Sequence, residues 1–213
     1  MHRGKCHMQD MTIEQFLDEL ASRQATPGGG SVAALMGSMG AALVSMVCQL
    51  TLGKKGYETS QDTIHSLLGD AESLRLSLMA AMEEDVQSFA AVMMAYAMPK
   101  GTEEEQSVRS GHIQQALVAA TDVPLHCAGL CLQVINFSHT AAVHGNRNVL
   151  SDAGVAAAAA EAALKSAALN VRVNANMVRD RAFADARIQA IEQLLEEGIP
   201  QAQRVYQWVQ EHL

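Results

Sequence analysis

The sequence predicts an all-α fold: a single-domain bundle of about six to eight helices with a buried central helix, dimerising through helices. Three observations point there. Alanine supplies 35 of the 213 residues and methionine 12, both good helix formers, whereas aromatics reach only 4%. Apolar residues recur at helical spacing, and no run of alternating β-branched residues interrupts them. The length suits one domain with its own core, and no internal repeat or interdomain linker divides it.

Residues 1–11 (MHRGKCHMQDM) contain no apolar run, so no secretion signal is expected there, and they are set apart as a disordered or expression-derived start. The helical domain is expected over 12–213. Its first helix should run from Thr12 to about Arg23, because Thr12 and Gln15 match a capping box and Ile13, Phe16, Leu17 and Leu20 share a face. Thr26-Pro27-Gly28-Gly29-Gly30-Ser31 is the strongest breaker in the chain. The second helix, from about Val32 to Leu52, is apolar on all sides and should be buried on all sides. Within it Ala33, Gly37, Ala41 and Ser45 form a row of small residues that lets another helix approach closely.

Gly53-Lys54-Lys55-Gly56-Tyr57 is a polar break. A long helix should cover Gln61 to Met98 and end at Pro99-Lys100-Gly101. Thr102 and Glu105 form a second capping box, for a helix running to about Thr121. Pro124 suits the first turn of a further helix ending near His144-Gly145. After the loop Asn146-Arg147-Asn148, Ser151 or Asp152 should cap an alanine-rich helix from about Ala153 to Val173. The last helix should begin near Phe183, kinked or split by Gly198 and Pro200.

A net charge of -8 and a pI near 5.4 exclude broad nucleic-acid binding and disfavour docking on anionic membranes. Cys6, Cys48, Cys127 and Cys131 follow no disulfide spacing, so a reducing, cytoplasmic setting is expected. Ala25 to Gly53 carries no charge and is long enough to span a bilayer, but glycine, serine and alanine dilute it, and a buried core helix is the preferred reading.

Asp85 falls on the apolar stripe of the long third helix, with Leu67, Leu74, Leu78, Ala81, Phe89, Val92 and Tyr96. A carboxylate there is costly unless paired or functional, and burial would raise its pKa into the range of a usable acid or base. The plainer alternative is a carboxylate at the stripe's edge or paired with an arginine. Gly28, Gly29, Gly30 and Ser31 precede a helix N-terminus and suit an anion or polar ligand, or simply tight packing. Lys54 and Lys55, with Tyr57 beside them, either favour a helix C-terminus or receive an anionic ligand tail. Capping explains Ser151 or Asp152 but not Asn146 and Asn148, and Asn170 and Asn174 lie one helical turn apart. Together these amides suit a polar pocket for a heterocycle. No metal site is expected: His126, Cys127 and Cys131 cannot converge, and no second pair completes a tetrahedron.

Several stretches in order resemble one family: Thr26-Pro-Gly-Gly-Gly-Ser-Val-Ala-Ala-Leu, Gly53-Lys-Lys-Gly-Tyr, Glu84-Asp85-Val-Gln-Ser-Phe89, Met98-Pro-Lys-Gly-Thr102, Val123-Pro-Leu125, Gly145-Asn-Arg-Asn-Val-Leu-Ser-Asp152, Val155-Ala-Ala157 and Asn170-Val-Arg-Val-Asn174. The chain is similar to the C-terminal domain family of formiminotransferase-cyclodeaminase, which also holds stand-alone methenyltetrahydrofolate cyclohydrolases. The resemblance spans roughly residues 12 to 195. It implies an all-α homodimer acting on a reduced, possibly polyglutamylated folate as substrate, with no tightly bound cofactor and no nucleic-acid or membrane partner. It implies Asp85 as the catalytic aspartate. It implies conversion of 5-formiminotetrahydrofolate to 5,10-methenyltetrahydrofolate and ammonia, or alternatively hydrolysis of methenyl- to 10-formyltetrahydrofolate. The lack of a formiminotransferase stretch raises the second reaction. A catalytically silent folate-binding or assembly dimer is the alternative of another class.

Overall fold

In the computed structural model the described residues are 8–213, Gln9 by its backbone alone. The expected disordered start therefore lies mostly outside them, Cys6 included. Within them Met8–Asp10 form a 3-10 turn, Met8 is buried in the central core, and its N–H donates to Glu83 Oε2 at 3.3 Å.

Six α-helices follow: α1 (Ile13–Leu20), α2 (Gly29–Gln49), α3 (Gln61–Ala97), α4 (Glu103–His144), α5 (Leu150–Met177) and α6 (Arg181–His212), with no strand among the described residues. Both capping boxes form as the sequence predicts, Thr12 with Gln15 and Thr102 with Glu105. Central α2 packs against α3, α4 and α5, and α5 lies between α2, α4 and α6. Leu78, Met82, Ile135, Leu164 and Ile191 are fully buried and tie α3 to α6 through one core. Each contributes about 1.5–3 kcal/mol relative to exposure. The small-residue row does what the pattern predicts: a Cβ on Gly37 would stand 3.0 Å from Leu78 Cδ2 and from Cys131 Sγ.

Several expectations are corrected. α2 begins at Gly29 rather than Val32, so Gly28 is its N-cap and Gly29-Gly30-Ser31 its first turn. It is buried on most sides but not all: Met39 and Leu50 are exposed, and Leu35, Leu43 and Met46 only partly covered. α4 runs unbroken through Pro124, because Asn174 Nδ2 donates at 2.6 Å to the Ala120 carbonyl that a proline at 124 leaves free. α6 runs unbroken through Gly198 and Pro200. Gly198 serves close packing, since a Cβ there would lie 2.5 Å from Leu164 Cδ2. Pro200 is on the exposed side, where water can take the freed carbonyl. Neither Ser151 nor Asp152 caps α5, which starts at Leu150 out of a 3-10 turn, Arg147–Val149, that Asn146 caps. Phe89 and Tyr96 leave the buried stripe, at 37% and 43% exposure, and Ile64, Ala71, Met82 and Ala95 fill its core side.

Both α2 and α4 are long and apolar enough to cross a membrane, and more than half of each such window is buried within the bundle. The sequence reading found only the first, because it broke α4 at Pro124.

Candidate active site

Asp85 stands past the middle of α3, facing the N-terminus of α2. The first turn of a helix leaves its N–H groups without helical partners, and the helix dipole favours a negative charge there. Ser31 uses that position: its hydroxyl donates to Asp85 Oδ2 at 2.8 Å, and its N–H is also directed at the carboxylate. Gly30 allows the approach, since a Cβ on it would collide with the carboxylate. Burial raises the Asp85 pKa above the ordinary carboxylate value, and the two Ser31 bonds oppose part of that rise. No arginine or lysine pairs with Asp85 among the described residues, so the plainer reading of a structural ion pair fails.

Asp85 lines a cavity of about 280 Å³ together with Gly28, Gly29, Gly30, Asn170 and Asn174. Both asparagines commit their NH₂ groups, Asn170 to the Ser166 carbonyl at 2.9 Å and Asn174 to that of Ala120 at 2.6 Å. The sequence reading missed Ser88 and took Phe89 and Val92 only as stripe residues, and all three line the same cavity. The signal was available: they lie three, four and seven residues after Asp85, on its own helix face.

The other predicted residues gather elsewhere. Gly53 and Gly56 take φ values of 67° and 91°, a left-handed turn that folds the lysine segment back at the C-terminal end of α2. Lys54 Nζ donates to Asn146 Oδ1 at 2.6 Å and sits 5.7 Å from the Tyr57 ring centroid. The Tyr57 hydroxyl accepts from the Arg147 N–H at 3.0 Å. Asn146 is 6% exposed, and its side chain also donates to Leu50 O and accepts from Asn148 N. Its role here is to join the α2 and α5 ends. Lys55, Asn148 and Ser151 are exposed and Asp152 half-buried. α2 has 21 residues, so this cluster is about 30 Å from Asp85 at a rise of about 1.5 Å per residue. One chain therefore does not bring the two groups around a single pocket, contrary to the sequence expectation.

Cys48, Cys127 and Cys131 are free and buried. Burial pushes the Cys48 thiol up to about 11, and the bond to Cys127 followed by burial raises Cys131, so Cys48 and Cys131 are poor nucleophiles. Among the described residues no three His, Cys, Asp or Glu side chains gather as a metal set.

Comparison with known proteins gives the same direction. The family model described as formiminotransferase-cyclodeaminase matches residues 12–193. The chain is 52% identical over 198 residues to a methenyltetrahydrofolate cyclohydrolase of Methylorubrum extorquens, covering 93% of this chain and 95% of that protein. It is 35% identical over 193 residues to the formimidoyltransferase-cyclodeaminase of Rattus norvegicus, covering 91% of this chain but 36% of that longer protein. The crystal structure of a formiminotetrahydrofolate cyclodeaminase from Thermotoga maritima superposes with a TM-score of 0.81 at 31% identity, over 96% of each chain.

Proposed function

Since the chain belongs to the formiminotransferase-cyclodeaminase family of folate one-carbon enzymes, we propose that it is a methenyltetrahydrofolate cyclohydrolase with Asp85 as its acid–base group. The observation that carries the chemistry is a carboxylate of raised pKa, held by Ser31 in a cavity and paired with no cation among the described residues. The choice of reaction rests on the 52% match along almost the whole of both chains. Sequence alone put the cyclodeaminase reaction first; this match supports the cyclohydrolase reaction instead.

In the hydrolysis, water adds to the carbon between the two folate nitrogens, and Asp85 takes the water's proton. The tetrahedral carbon then breaks its bond to one nitrogen. Asp85 returns its proton to that nitrogen, the hydroxyl loses its own to solvent, and the formyl group remains on the other. A carboxyl group of raised pKa suits both halves of this cycle. The cyclodeaminase reaction uses the same residue on the same carbon, with ammonia leaving. The likeness to the Thermotoga maritima structure supports that second reading.

A cavity of about 280 Å³ holds a bicyclic ring and its bridge, but a whole folate needs more of the usual range of about 300–1,000 Å³. We infer a homodimer in which an antiparallel second copy lies along the partly uncovered stripe of α2 and its C-cap, at Leu35, Met39, Met46 and Leu50. That arrangement would bring the partner subunit's Lys54 and Lys55 toward the substrate's glutamate tail. A monomer by light scattering at micromolar concentration would remove this part of the account.

The test of reaction is an absorbance assay on two substrates in parallel. Methenyltetrahydrofolate should lose its chromophore faster than the uncatalysed rate. Growth of that chromophore from 5-formiminotetrahydrofolate would establish the cyclodeaminase instead. Silence in both would leave a folate-binding module.

A further inference from the structure

Pro124 stands inside α4, where its missing N–H leaves the Ala120 carbonyl without a helical donor. Asn174 of α5 supplies one, with Nδ2 2.6 Å from the oxygen. A carbonyl only accepts, so the Asn174 amide presents its NH₂ to α4, which leaves Oδ1 as the acceptor of a side chain that borders the cavity. Asn170, one turn earlier, is held in the same sense by the Ser166 carbonyl. Pro124 itself borders the narrow gap behind Asp85. With both NH₂ groups engaged, the acceptors left on these two cavity-lining side chains are their amide oxygens, which with the Asp85 carboxylate suit a ligand edge of N–H donors.

We propose that Pro124 is a positioning residue: by freeing the Ala120 carbonyl it locks the Asn174 amide with its oxygen toward the cavity, where it accepts from the N–H edge of the substrate's amino-pyrimidinone ring. The ligand in this statement rests on the folate reading; the amide orientation does not.

Pro124→Ala returns a backbone N–H to the Ala120 carbonyl and releases the Asn174 amide. A melting temperature at or above wild type will show that the variant folds. KM for the folate substrate should rise about fivefold, the loss of one hydrogen bond, with kcat within about twofold. Asn174→Ala should raise KM to a similar extent, and adding Pro124→Ala to it should change KM no further. An unchanged KM in Pro124→Ala, or effects that multiply in the double variant, overturns the proposal. If wild type turns over neither folate, the folate reading fails and the orientation is tested alone. The Asn174 side-chain NH₂, assigned in ¹⁵N spectra by its absence from Asn174→Ala, should exchange slowly in wild type and lose that protection in Pro124→Ala. Equal protection in both overturns the proposal.

Discussion

A Cβ on Gly30 would fall inside the carboxylate of Asp85, 2.8 Å from its farther oxygen. The two residues come from the start of α2 and from α3, so only glycine lets the helix N-terminus close on the carboxylate. Gly30→Ala should push the carboxylate away from Ser31 toward the cavity. A displacement of about 1 Å at the reacting group costs on the order of 10²-fold. We expect kcat to fall by about that factor in a protein that still folds, checked by steady-state kinetics beside a melting curve. Wild-type kcat would mean that the carboxylate's position is immaterial.

The pH profile reports the other half of this contact. Ser31 stabilises the charged form of Asp85 through its hydroxyl and its N–H, against the larger effect of burial. Removing the hydroxyl in Ser31→Ala leaves burial less opposed, so the pKa rises further. The acid limb of the kcat/KM profile should therefore move to higher pH. A limb that stays in place, or moves down, would separate that limb from Asp85.

Stability should move oppositely to activity. Because the folded pKa of Asp85 lies above its unfolded value, the folded state holds more protons than the unfolded state between the two pKa values. Stability therefore falls as pH rises through that window, and the cost is fully present above the folded pKa. Asp85→Asn does not titrate and can still accept from Ser31. Its melting temperature at pH 7 should equal or exceed wild type, and that advantage should vanish below the ordinary carboxylate range. A variant clearly less stable at pH 7 would make the aspartate structural.

Lys54 and Lys55 should not be equivalent. Lys54 bonds the buried Asn146 and covers Tyr57, whereas Lys55 is exposed. Lys54→Ala should cost about 1 kcal/mol of stability, and Lys55→Ala less than about 0.5 kcal/mol, by denaturant unfolding. Replacing both should weaken polyglutamylated folate more than the monoglutamate. Equal weakening would mean that the lysines do not receive the tail.

The helices and Asp85 were legible because each is signalled locally: capping residues at Thr12 and Thr102, apolar spacing along α3, and a carboxylate where the stripe should be apolar. The misread features depend on partners distant in sequence. Pro124 ends a helix by local rules, and only Asn174, fifty residues on, supplies the donor that lets α4 continue. Gly198 reads as a breaker until Leu164 is seen against it. The lysine–asparagine cluster and the glycine turn look like one pocket in sequence, and the length of α2 separates them.

The most direct test of the central claim is turnover by Asp85→Asn, measured with binding of the folate substrate to the same preparation. The account predicts that kcat falls at least about 10²-fold, the usual share of a positioned acid–base group, while substrate still binds and the protein stays folded. A kcat near wild type in that variant would contradict the assignment of Asp85.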